Sequence, residues 1–139
     1  MVNNQNNRLK KSDLGAITRR LQLLAEAIKE IDEAILARKE LSTKFRNQIE
    51  KEIQEVQNYL GTLQPPWRAG YLPQYEFLRV SLHKSLASRK QNKRSEELKL
   101  WEDLTKILKE RRELIFEYEE LLSIVNGTNN NSRNNNTAR

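Results

Sequence analysis

The residues best suited to recognition chemistry crowd together near the middle of the chain. Trp67 and Arg68 are neighbours, Tyr71, Tyr75, Phe77 and Arg79 follow, and Tyr59 precedes them. Aromatic side chains supply contact area at small entropic cost, and arginine adds bidentate hydrogen bonds, so this mixture suits a protein partner. Stacking combined with positive charge also suits single-stranded nucleic acid. Immediately beyond, KSLASRKQNKR presents Lys84, Arg89, Lys90, Lys93 and Arg94 without one acid. Such a cluster can neutralise phosphates, or it can pair with carboxylates of a neighbouring helix. It comes with no zinc-finger spacing, aromatic RNP pattern or short helix-turn-helix turn, so base-specific reading has no support.

The same stretch also reads as a corner. All three prolines lie in GTLQPPWRAGYLPQ, residues 61–74, with Gly61 and Gly70 beside them. Proline halts a helix and glycine permits a turn. The aromatics can therefore plug the open end of a helical pair as well as meet a partner.

Catalytic chemistry finds no foothold. There is no phosphate-binding glycine loop and no nucleophile elbow. Cysteine is absent and His83 is the one histidine, so no thiolate or histidine metal site is expected. Glu117, Glu119 and Glu120 lie in a run already dense in charge, and no Glu-x-x-His pair suggests a di-iron bundle. We expect no enzyme activity, cofactor, metal or small-molecule substrate. The start, MVNNQNNRLKK, lacks a signal-peptide core, and no apolar run reaches the ~20 residues of a membrane span. The expected location is the cytoplasm, away from membranes.

These residues must be held by helices. The 139-residue chain is 32% charged with a mean hydropathy of −0.85, and it has only four glycines and three prolines. That composition disfavours turn-rich sheet folds and favours long helices with one apolar stripe. Leu14, Ile17, Leu21, Leu24, Ile28, Ile31 and Ile35 alternate spacings of three and four, a heptad seam. Ser12 is the expected N-cap and Asp13 suits the positive end of the helix dipole. Continuing the heptad lands on Arg38 and Ser42, which reads as a polar waist over 38–44; Phe45, Ile49, Val56 and Tyr59 resume the seam, with Glu52 at one position and Ile53 beside it. Gly61 is the expected stop.

The second arm shows Trp101, Leu104, Leu108, Ile115, Tyr118, Leu122 and Val125 on one seam, with Arg111 intruding, and Leu98, Leu114 and Leu121 widen its apolar face. Asn126-Gly127 predicts its end in a left-handed cap. Residues 74–94 carry helical and period-2 patterns together, with helix preferred, and 88–97 fits a loop or a polar helix. The Asn-rich ends, 1–12 and 127–139, are expected to be disordered tails.

The predicted fold is therefore all-α. A long antiparallel helical hairpin spans 13–126, with coiled-coil-like arms at about 13–60 and 74–126 and a Pro/aromatic corner at 61–73. Centring the corner on Trp67 pairs residue i with about 134 − i, which sets one polar stretch, 38–44, against another, 90–96. Two helices bury little apolar area, so completion by a second copy is expected, with a monomeric three-helix bundle as the alternative.

Charge points to the same central segment. Residues 61–95 carry +6, equal to the net charge of the whole chain, whereas 96–126 carry −4. An acidic partner is implied. In outline the chain is similar to helical hairpins of the prefoldin or flagellar export-stalk kind, over about 13–126. That likeness rests on no motif, lacks prefoldin's connector strands and implies architecture alone. The sequence thus suggests an interaction or adaptor protein that assembles through its seams and binds a protein partner through its basic, aromatic centre. The alternative is a nucleic-acid-binding accessory or regulatory protein that sets segment 68–94 on phosphates.

Overall fold

The computed structural model describes residues 10–63 and 73–137, with side chains described as far as residue 127. Trp67, Arg68 and Tyr71, residues 1–9 of the amino-terminal tail and residues 138–139 lie outside the described residues. Among the described residues there is no strand, only two helices: α1 (Lys11–Thr62) and α2 (Pro73–Thr137).

Helix α1 begins on a different cap from the one expected. The backbone N–H groups of Asp13 and Leu14 donate to the Lys10 carbonyl at 2.9 and 3.0 Å. The Lys10 N–H in turn donates to the Asp13 carboxylate at 3.3 Å. Lys10 is the cap and Ser12 lies inside the first turn, because an acid three residues into a helix can reach back to the capping N–H. Gly61 does not stop α1, which continues to Thr62. Leu63 N–H then bonds the Leu60 carbonyl at 3.3 Å, and the Thr62 hydroxyl donates to the Tyr59 carbonyl at 2.7 Å.

Helix α2 starts on Pro73, a favoured first helical residue because its missing N–H would have no partner there. Residues 88–97 are helical. The helix also passes through Asn126-Gly127 and on to Thr137, so neither the expected cap nor a separate tail from 127 is found. Glycine and asparagine cost a helix up to ~1 kcal/mol per residue, but unlike proline they retain the N–H that propagates it.

The chain divides into two compact units, Met1–Ile35 with Thr105–Arg139, and Leu36–Leu104. In each, a segment of α1 packs antiparallel on a segment of α2, which is hairpin topology. In the first unit Arg20 pairs with Glu117 and Asp32 with Arg111. In the second Arg38 pairs with Glu96 and Asp103, Glu50 with Lys93, and Glu52 with Arg89. Arg38–Glu96 keeps the expected register, and the other pairs are displaced by three to nine residues along α2. The midpoint of the proline stretch is thus an imperfect guide to that register.

The packed face of α1 in the first unit is Leu14, Ile17, Leu21, Leu24, Ile28, Ile31 and Ile35, all half-buried apart from fully buried Leu24. In the second unit the face does not break at Arg38 and Ser42. Both lie on it, and Ser42 is 0% exposed. Beyond, the face runs through Arg46, Ile49, Ile53, Val56 and Leu60, while Phe45 and Tyr59 are exposed. The seam has moved by one residue. An α-helix turns 3.6 residues per turn, so a seven-residue row drifts by about 20° per heptad, and four or five heptads rotate the contact line by one position.

On α2 the packed rows keep the seven-residue period without drift, and one of the two lies a residue before the expected one. Leu100, Ile107, Leu114 and Leu121 are half-buried along with Leu104, Arg111, Tyr118 and Val125. Trp101, Leu108 and Leu122, expected on the seam, are exposed instead.

A Cβ at Gly15 would meet nothing within 4 Å. Gly15→Ala should therefore stabilise the protein by about 0.5–1 kcal/mol. Leu24→Ala should cost about 2–4 kcal/mol through its lost contacts and the cavity left behind. Urea unfolding followed by circular dichroism measures both, and a Leu24→Ala midpoint equal to the wild type's would contradict the packing described.

Candidate functional site

The basic segment is less available to a partner than its composition suggests. Arg89 turns toward α1, donating from Nε to Glu52 at 3.3 Å and from Nη1 to the Ser85 carbonyl and hydroxyl. Lys93 donates to Glu50 at 2.9 Å. Arg94 reaches Gln91 in its own helix at 3.4 Å. Lys84, Lys90 and Arg94 are exposed. A groove of about 380 Å³ in this unit is lined by Glu50 and Glu97 as well as by Lys90, Lys93 and Arg94, so the local field has both signs. The five residues thus split into two that tie α2 to α1 and three that face solvent.

Of the aromatic set, Tyr75 is half-buried, whereas Phe77 is 76% exposed. Val80 and Leu78 beside it are also exposed. Arg79 is held by Glu76 in the same helix at 2.8 Å. One helical turn thus presents an apolar patch beside a neutralised arginine.

Two features of the structure sharpen or go beyond the sequence pattern. The first is the polar layer. Arg38 donates from Nε to Asp103 at 3.0 Å and from Nη1 to Glu96 at 2.8 Å, and its side chain is only 17% exposed. One turn on, the fully buried Ser42 hydroxyl has no hydrogen-bond partner among the described residues, and neither does Arg46 Nε. Thr18 and Thr43, by contrast, bond back to the carbonyls of Leu14 and Lys39. A small residue at 42 suits close helix approach. The available signal is the heptad itself, which points to Arg38 and Ser42.

The second feature is an outer apolar row on α2. In the first unit Leu108 and Leu122 are 46% and 37% exposed, Ile115 between them is half-buried, and Phe116 is 64% exposed. The residues between, Arg112 and Glu119, are exposed and form no ion pair among the described residues. An open depression of about 570 Å³ along this helix is bordered by Phe116, Glu119 and Ile124.

The charges of the hairpin pairs set its response to acid. Hydrogen bonding from Arg20, bidentate at 2.8 and 3.0 Å, holds the Glu117 carboxyl below its ordinary value of 4.5. Lys93 does the same to Glu50, and Arg79 to Glu76. Hydrogen bonds from Arg38 to Glu96, then to Asp103, raise the Arg38 guanidinium above its ordinary value. Among the described residues no group of His, Asp or Glu could hold a metal ion, and no helix is long and apolar enough to cross a membrane.

Because these carboxyls are depressed in the fold, the unfolded chain binds more protons near pH 4.5. Their stabilisation is present above that pH and is lost as the pH falls through the folded values. Thermal melts should drop on acidification, and Glu117→Gln should flatten that drop. Arg38→Ala, which strips Glu96 and Asp103 of their shared partner, should cost about 1–2 kcal/mol at neutral pH, with Arg38→Lys intermediate; denaturant melts measure the difference. Compared with known proteins, the chain matches no family model, no curated protein and no solved structure.

Proposed function

We propose that the chain is a non-enzymatic interaction protein of the adaptor kind. It assembles through its apolar helix faces as coiled-coil arms do, and it engages a protein partner through its basic, aromatic central segment. The observation that carries this reading is the imbalance between interior and surface. Among the described residues only Leu24, Ile49 and Ile53 are buried apolar side chains, whereas large apolar residues such as Phe77, Val80, Leu108 and Phe116 remain exposed. Neighbouring apolar side chains left exposed on one helical turn, as Phe77, Leu78 and Val80 are, support contact with another macromolecule.

The nucleic-acid alternative loses ground to the ion pairs. Phosphate binding draws on free cations, and Arg89 and Lys93 are spent on Glu52 and Glu50.

The test uses the full chain as bait in an extract of its native host, beside a Phe77→Ser/Val80→Ser variant. Both positions are exposed, so helicity should not change. A protein retained by the wild type and lost by the variant is the expected result. Fluorescence anisotropy with labelled DNA and RNA at ~50 and ~200 mM salt should show no binding. Salt-sensitive binding abolished by changing Lys84, Lys90 and Arg94 to glutamine would overturn the reading in favour of nucleic acid.

A further inference from the structure

The outer row of α2 in the first unit has a symmetry that identifies an occupant. Leu108, Arg112, Ile115, Glu119 and Leu122 follow spacings of four, three, four and three, so they share one stripe of the helix. Leu108 and Leu122 are each seven residues from Ile115, or about 10 Å along the axis at 1.5 Å per residue. Arg112 lies about 4.5 Å on one side of Ile115 and Glu119 about 6 Å on the other. Both charges are exposed, and neither has an ion-pair partner among the described residues.

We propose that a second copy of this chain docks here, α2 against α2 and antiparallel, about a two-fold axis at Ile115. This rests on the reading of the chain as a protein that assembles through its helix faces, and it names one face and its partner. The two-fold places Leu108 against Leu122 of the second copy, Ile115 against Ile115, and Leu122 against Leu108. Arg112 then comes within about 1.5 Å, measured along the axis, of Glu119 of the second copy, and the symmetry makes that ion pair twice. A parallel, in-register pairing would set Arg112 on Arg112 and Glu119 on Glu119, which is repulsive. A parallel pairing staggered by one heptad would bring the opposite charges together but would leave each copy with an unmatched end, a contact that does not close. The arrangement that matches every charge and closes is the antiparallel one.

Sedimentation equilibrium of the full chain from about 1 to 500 µM, the range suited to a small interface, reads the association. The wild type should dimerise. Arg112→Glu alone and Glu119→Arg alone should each weaken the dimer by about tenfold, since each puts like charges together at two symmetric places. The double swap should return to within about threefold of the wild type, and so should an equimolar mixture of the two single variants, whose charges complement one another across the axis. Circular dichroism should report unchanged helicity, as both positions face solvent. A dimer indifferent to the swaps would overturn this inference and leave assembly through another face standing. A chain that stays monomeric at the highest concentration would also overturn it, while the bait experiment on Phe77 and Val80 would still decide the interaction reading.

Discussion

A helix packed against one other helix can bury only one stripe of its surface. That constraint governs the whole molecule. In each unit the stripe of α1 packs on one segment of α2, so most positions on it are half-buried, and among the described residues only Leu24, Ser42, Ile49 and Ile53 are buried. The apolar transfer that stabilises larger domains is correspondingly limited. Cross-helix ion pairs take over the task of alignment. They recur along both units, each linking an arginine or lysine to a carboxylate on the opposite helix. Most are partly exposed, so each contributes little energy. Their value lies in register, since a slide of either helix would mismatch several of them together.

The polar layer fits that division of labour. Arg38 occupies a place on the packed face where an apolar side chain would bury more surface, and it binds two carboxylates of α2. The Ser42 hydroxyl beside it adds no hydrogen bond among the described residues. This stretch exchanges transfer energy for a contact that only one alignment satisfies. A polar residue at a single seam position is an established way for helical pairs to fix register.

The helical class, the antiparallel pairing and the seam from Leu14 to Ile35 are all legible in the sequence. Spacings of three and four, repeated over three heptads, place side chains on one stripe of a helix and on no single face of a strand. The register is legible only approximately. Trp67 marks the midpoint loosely, and the pairs other than Arg38–Glu96 depart from it by three to nine residues along α2. On α2 the packed rows keep the seven-residue period, but apolar residues flank them on both sides, and the period read through Trp101 takes the wrong phase. That period selects Trp101, Leu108 and Leu122 for the interior, while Leu100, Ile107, Leu114 and Leu121 take that place. The basic cluster shows the limit of composition. Counting charges over 84–94 gives a strongly positive segment, but it cannot say that Arg89 and Lys93 turn toward acids that lie far away in sequence.

The shared periodicity of α1 and α2 also constrains how such a chain can change over generations. Removing or adding one residue within either helix rotates everything beyond it by about 100°, which carries the packed stripe off its neighbour. Seven residues added to both helices at matching levels would restore the faces and lengthen the pair by roughly 10 Å. Substitutions on the outer surface are buffered by solvent, whereas small insertions and deletions are not. The length of such a chain is therefore free to vary in steps of whole heptads, taken in both helices together.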